Sequence, residues 1–392
     1  MPILADRMSQ LGTETAFEVL ARANALAAAG KSIINLGIGQ PDFKTPEHIV
    51  EAGIEAMRDG HHGYTPAAGI PQLREGVAAD LKKRHGVEVD PGLIMIMPGG
   101  KPTMFFACLM FGQPGTEIMY PNPGFPIYES SVKFSGATPV PYRLSEENGF
   151  AFSAQDLLAK ITPRTRLIIL NSPANPTGGA VPMERLKEEF DALVAGLANW
   201  PDVMVMSDEI YGQMLYDGRQ HVTLLSYPEI RDRLILLDGW SKTYAMTGWR
   251  LGYSLWPKEV FPHVEKLAVN CHSCVNAPTQ FAGLAALTGP QDAVHSMVEA
   301  FDGRRRVIVS ELNQIPGFRC VEPGGAFYAF PNIEGTGMSS KELQTKLLEE
   351  AGVAVISGTS FGAYGEGYLR FSYANSTENI QEAIRRIKAC LS

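Results

Sequence analysis

Cysteine is scarce and odd in number: five residues, at 108, 271, 274, 320 and 390, are scattered through 392 positions. That excludes a disulfide framework and suits a reducing compartment, the cytoplasm. Long hydrophobic runs are also missing. No stretch approaches the roughly 20 apolar residues that a bilayer-spanning helix needs. Met1 to Gln10 lack the charged and apolar regions of a secretory leader. Positive charge is short as well: the net charge is −8, which argues against nucleic acid or an anionic membrane as partner. There are no internal repeats, low-complexity linkers or runs of like charge. What the chain does have is a hydrophobic content of 45%, ample for a large buried sheet.

That apolar content is arranged in alternation. Predicted strands at 93–97, 117–120, 166–170, 203–207, 234–238 and 250–255 are separated mostly by helical patterns such as Met183 to Ala198. Apolar strands without inside–outside alternation, joined through helices, indicate an α/β fold with a mainly parallel sheet covered on both faces. After about residue 285 the texture changes. Helical stretches at Asp292 to Asn313 and Ser339 to Ala351 alternate with short strands near Ala326–Ala329, Ala354–Ile356 and Tyr368–Ser372. A chain this long is expected to divide. The expected division is a large domain over 45–285 and a smaller, discontinuous α+β domain built from 1–44 and 286–392.

Four segments carry chemistry. In Ser241 to Arg250 a lysine, Lys242, follows an apolar strand directly, and Arg250 lies eight positions on. A lysine leaving the carboxyl end of such a strand points into the crevice where open α/β sheets bind ligands. Desolvation there lowers its pKa and frees the amine as a nucleophile toward a carbonyl. Arginine suits a phosphate. The combination points to pyridoxal phosphate held as a Schiff base; the plain alternative is a surface lysine and a solvated arginine. Asn171 to Gly178 is a rigid loop, with prolines at 173 and 176, that can aim Asn175 at a ligand oxygen. A structural turn explains the prolines equally well. In Ser207 to Tyr211, Asp208 leaves a buried strand as an anion that needs a cationic partner, such as a protonated pyridine nitrogen. Tyr211 can reach the same ring, and the alternative for Asp208 is a helix N-cap. Met97 to Lys101 places two glycines at a strand-to-helix turn, where backbone N–H groups and a positive helix end face a phosphate.

Taken in order, these segments resemble the class I/II aminotransferases, the fold-type I pyridoxal-phosphate enzymes of the aspartate aminotransferase superfamily. The resemblance runs from about Asn35 to Ala374. It includes Leu-Gly-Ile-Gly-Gln-Pro-Asp-Phe43, Gly-Tyr-Thr65, Pro-Gly-Gly-Lys101, Asn-Pro-Thr-Gly178, Asp-Glu-Ile-Tyr211, Ser-Lys242, Gly-Trp-Arg250 and Leu-Arg-Phe-Ser372. It implies a ping-pong exchange of an α-amino group between L-amino acids and 2-oxo acids, with pyridoxamine phosphate as the intermediate cofactor form. By that resemblance Lys242 holds the cofactor covalently and Asp208 pairs with its pyridinium nitrogen. Asn175 and Tyr211 bond the ring oxygen, and Phe125 stacks on the ring. Arg250 and the amides of Gly100 and Lys101 hold the phosphate, aided by Tyr64 from the other subunit of a homodimer. Arg370, beside Gly39 and Asn175, grips the substrate α-carboxylate.

Three positions depart from the family pattern. Gly239 stands where relatives often place a phosphate-binding serine, which leaves that contact missing or supplied by Ser241. Trp240 is bulkier than usual, and Phe125 replaces a tryptophan or tyrosine, keeping the stacking without the polar handle. Cys271-His-Ser-Cys274 has redox or half-zinc spacing but no partner motif, so a structural reading is favoured. His61 and His62, beside Tyr64, read as interface or surface residues. The same scaffold also carries lyases and synthases, and pyridoxal-phosphate-binding regulators that do not catalyse. The substrate side chain stays open: Lys101 either meets a distal carboxylate or serves the phosphate through its backbone alone, and Thr13 to Phe17 are placed to line the entrance.

Overall fold

A computed structural model describes residues 3–392. Its centre is a seven-stranded sheet in the order 94–97, 252–255, 234–239, 204–208, 165–171, 117–122, 138–143. The five strands from Leu234–Gly239 to Thr138–Arg143 run parallel, and Gly252–Leu255 lies antiparallel to both of its neighbours. Every residue of Ile94–Met97, Met204–Asp208 and Leu234–Gly239 is buried. This is the pattern of strands covered on both faces, and it is why their sequences do not alternate.

All six predicted strands are present. A seventh, Thr138–Arg143, was not anticipated because Pro139 and Pro141 interrupt its pattern. Its place resolves the conflict: it pairs on one side only, at the sheet edge, where a missing N–H costs little. The helices cover both faces. Lys101–Phe111 follows the expected strand-to-helix turn, Met183–Leu197 matches its predicted span to within a residue, and Asp292–Leu312 does so in the C-terminal part. Ser339 caps Ser340–Lys346 with a capping box through Glu342, and the chain then widens into a π-turn at Leu347–Ala351.

Many of the residues after 285 share an apolar cluster of their own. Phe301, Ile308, Leu343, Phe371 and Ile384 are all buried in one apolar cluster that also takes in Ile34 and Leu36 from the N-terminal segment. The pairing explains this: Ile34–Asn35 lies parallel to Val353–Ala354. Tyr328–Ala329, Leu369–Ser372 and Ile356–Ser357 make a small antiparallel sheet. The stretch expected as one strand over 354–356 is thus shared between two sheets. Among the described residues no helix is long and apolar enough to cross a membrane.

Candidate active site

The parallel strands end together. Asn171 sits beside Asp208, and Asp208 beside Leu237, in adjacent registers. The chain leaves Leu234–Gly239 into a single helical turn, Trp240–Thr243, that carries Lys242. These ends open on a cavity of about 600 Å³. Gly39, Gly100, Lys101, Phe125, Asn175, Asp208, Tyr211, Lys242, Arg250 and Arg370 all line it. Ten of the eleven residues singled out from sequence therefore meet at one place, although they come from segments up to about three hundred positions apart. The eleventh, Tyr64, is 93% exposed on this single chain and does not reach the cavity.

Lys242 is buried, and its Nζ donates to the Gly39 carbonyl at 2.5 Å. Burial is the main cause that pushes its pKa down to about 8, and the Arg370 charge adds to the effect. Asp208 is buried at the cavity floor. Burial pushes its pKa up to about 7, against the Tyr128 hydroxyl, which donates to Oδ2 at 2.6 Å. The Ile210 N–H donates to Oδ1 at 3.2 Å. No α-helix follows, only a turn, so a helix-capping role for Asp208 has no helix to cap. Among the described residues no cation pairs with this carboxyl.

The other end of the cavity is built for an anion. Gly99, with φ +86°, turns the chain from Ile94–Met97 into the helix Lys101–Phe111. A Cβ at Gly99 would lie 2.2 Å from Nη2 of Arg250, so glycine is required for the arginine to lie over the turn. Arg250 itself holds a left-handed φ of 55° and donates to the Thr247 carbonyl at 2.8 Å. First-turn N–H groups of a helix have no intrahelical partner, and here they open at the cavity wall beside the guanidinium. Gly239 has no room for a serine: a Cβ there would sit 2.8 Å from the Cα of Gly252. Ser241 lines the cavity instead, and Trp240 turns away, donating its indole N–H to Gly283 in the core at 3.0 Å.

Arg370 is buried on the opposite wall. Its Nη1 donates to Asn175 Oδ1 at 3.0 Å and its Nη2 to the Gly37 carbonyl at 2.5 Å. The guanidinium is sandwiched 4.7 Å from the rings of both Tyr328 and Phe361. Its Nε is buried without a partner, an orphan that a bound carboxylate is suited to satisfy. Tyr211 and Tyr328 share a hydroxyl–hydroxyl hydrogen bond at 2.8 Å, and burial raises the pKa of both.

Sequence reasoning missed Tyr128 and Tyr328, which line the cavity, and placed Glu14 at its entrance without its pairing to Lys101. It also missed the two buried networks that hold the strand ends. Glu209 accepts from Ser207, Thr223 and His221 behind Asp208. Asp238 accepts from the Gly239 N–H and from Tyr253 at the root of Lys242. Cys271 and Cys274 lie at and just beyond the end of the helix Phe261–His272, away from this cavity, and both are free thiols.

The donor set fits pyridoxal phosphate. A buried amine of depressed pKa suits an aldehyde, a buried carboxyl without a cation suits a pyridinium nitrogen, and the glycine turn under Arg250 suits a phosphate. The comparisons agree. The family described as "Aminotransferase class I and II" matches residues 31–387. The aspartate aminotransferase of Geobacillus stearothermophilus is 37% identical over 390 residues, covering 98% of both chains. The crystal structure of the aspartate aminotransferase from Rhizobium meliloti superposes with a TM-score of 0.94 at 34% identity, covering 100% of this chain and 99% of that one. The Thermus thermophilus aspartate aminotransferase with maleate gives 0.92 at 34% identity, covering 100% of both. A buried lysine, an unpaired carboxyl and an anion cradle at the mouth of this sheet, in a chain matched along nearly its whole length, place it among the class I and II aminotransferases, pyridoxal-phosphate enzymes that move an α-amino group between an L-amino acid and a 2-oxo acid.

Proposed function

We propose that the reaction is carried by Lys242, Asp208 and Tyr211, with Arg370 orienting the substrate, and that an acidic amino acid is one of its donors. The observation that carries this reading is the placement of two different recognition devices in one cavity: the buried amine of Lys242 and the aromatic-sandwiched guanidinium of Arg370, whose Nε has no partner. Arg370 takes the planar α-carboxylate as a fork, beside Asn175 and the backbone of Gly39, which orients the Cα–H toward the lysine. Lys242 binds the cofactor covalently, and its amine, once released, removes and returns the Cα proton. When bound, pyridoxal phosphate supplies the electron sink for the pair left at Cα. Asp208 holds a proton at the pyridine nitrogen. Tyr211 and Asn175 donate to the ring oxygen, and Phe125 covers a ring face. Arg250 holds the phosphate together with the N–H groups of Gly100 and Lys101.

The acidic donor rests on the Lys101 side chain, which lines the cavity beside Phe125. It rests also on the related Thermus enzyme, named for aspartate and solved with maleate. Transamination of glutamate and aspartate in half-reactions, followed by the cofactor absorbance, is the deciding measurement. Conversion of both to their 2-oxo acids is expected. Failure of both donors would remove the acidic reading, and ammonia release without a 2-oxo acceptor would replace transamination by elimination.

The domain division at about residues 45 and 285 is proposed on the apolar cluster that joins the N-terminal segment to residues after 285, and residence in the cytoplasm on the free thiols. The assembly proposed is a homodimer with shared sites, in which the exposed Tyr64 completes the partner's phosphate site. Mixing Tyr64→Phe chains with Lys242→Ala chains then yields heterodimers with one doubly impaired site and one free of both lesions. Activity rising above that of Tyr64→Phe alone is the expected result. No rise, with subunit exchange demonstrated, would dismiss the shared site.

A further inference from the structure

The cavity contains an acid that the reaction does not use. Glu14 is the residue before the helix Thr15–Ala28, in the N-cap position, where a short polar side chain would normally accept from the first turn. Its side chain makes no such bond. It reaches instead across 87 positions to form an ion pair with the ammonium of Lys101. The carboxylate is held inside, with its side chain 15% exposed against 45% for that of Lys101. The ammonium end of the pair lies 5.7 Å from the Phe17 ring and 5.8 Å from the Phe125 ring, so aromatic faces back it on two sides. Glu14 and Lys101 both line the reaction cavity. The charge of Glu14 is felt at Lys242 and at Arg370, raising both against the effect of burial.

We infer that Glu14 is a specificity-determining residue that occupies Lys101 and sets how strongly the enzyme favours acidic over neutral side chains. The inference rests on the reading above, in which Arg370 takes the α-carboxylate and the side chain extends toward Lys101. A distal carboxylate has to displace Glu14 from the ammonium and then lie near a second negative charge. An apolar or aromatic side chain leaves the pair closed and packs on Phe17 and Phe125. Lys101 alone would make an acid-selective pocket; Lys101 closed by Glu14 makes one that tolerates both kinds of donor.

Non-reactive acids separate binding from catalysis. The cofactor-loaded enzyme is titrated with succinate, which has a distal carboxylate, and with butyrate, which lacks one, by calorimetry. The wild type is compared with Glu14→Gln, Lys101→Met and the double variant. A charged hydrogen bond restored to a partly desolvated site corresponds to about a tenfold gain in affinity. Glu14→Gln is therefore expected to tighten succinate about tenfold relative to butyrate, and the gain is expected to shrink when Lys101 is already methionine. An unchanged succinate-to-butyrate ratio in Glu14→Gln overturns the inference. So does an equal gain with and without Lys101, which would make Glu14 a simple repulsive charge. Should the wild type transaminate no amino acid at all, the catalytic reading fails on its own, because these affinities are measured without turnover.

Discussion

Lys242→Ala is expected to yield a folded protein that binds pyridoxal phosphate weakly, lacks the absorbance of covalently held cofactor, and transaminates about 10³-fold more slowly or worse. A positioned acid–base group alone contributes roughly 10²–10⁴-fold, and this substitution also removes the covalent anchor. Folding should survive for a reason that can be given a sign. Burial lowers the Lys242 pKa from 10.5 to about 8, so the folded state binds fewer protons than the unfolded state between those values. Stability of the cofactor-free wild type then rises with pH across that window, and below it the full cost of burying the charged amine is present. Alanine removes this cost. At pH 7 the cofactor-free variant should therefore melt no lower than the cofactor-free wild type. The same shift predicts that capture of free pyridoxal phosphate by the wild type accelerates with pH and levels off above about 8. Retained activity with intact cofactor absorbance in Lys242→Ala would end the assignment of this lysine.

The strands and the residues at their ends were legible in the sequence for one physical reason. A strand buried on both faces is apolar throughout, so the first polar or charged residues after it mark its carboxyl end. Asn175, Asp208 and Lys242 each come from such a place, and all line the same cavity. The orientation of Gly252–Leu255 was not legible, since a fully apolar run reads the same whether its pairing is parallel or antiparallel. The edge strand at Thr138–Arg143 was hidden by prolines that only an edge position tolerates.

Contacts across the chain were beyond reach for a different reason. Tyr128 reaches Asp208 over 80 positions, and Tyr328 reaches Tyr211 over 117. Tyr128 stands in a mixed polar and apolar helix and Tyr328 in an apolar stretch, with no local pattern to mark either. Glu14 fell within a stretch placed at the entrance, but its pairing with Lys101 depends on how the N-terminal segment folds back over the cavity. Gly239 is instructive in the other direction. From sequence it is a missing serine; in three dimensions it is the close approach to the Gly252 backbone that only glycine permits. The departure was visible early, and its cause was a distance.

Asp208→Asn tests the electrostatic half of the site, since it keeps the size of the side chain and removes its charge. In the cofactor-free protein burial pushes the carboxyl up to about 7, so near neutral pH it is partly protonated. With the cofactor bound, Asp208 would hold that proton at the pyridine nitrogen, and its carboxylate would face the cation so formed. The pair then compensates the burial that made either charge costly alone. Asparagine can still receive the Ile210 N–H through its amide oxygen and fill the space beside Tyr128, so cofactor should remain bound. It can neither give up a proton to the ring nor stabilise the cation that results. Cα deprotonation, measured as loss of deuterium from a Cα-deuterated donor in a single half-reaction, should therefore slow by at least about 10²-fold, the scale for losing one preorganised electrostatic contact. The Tyr128→Phe variant supplies the contrast. It removes the hydrogen bond that favours the carboxylate and leaves the charge, so its effect should be much smaller than that of Asp208→Asn. If Asp208→Asn and Tyr128→Phe slow the step equally, Asp208 acts only through its hydrogen bonds and its charge plays no part at the ring nitrogen.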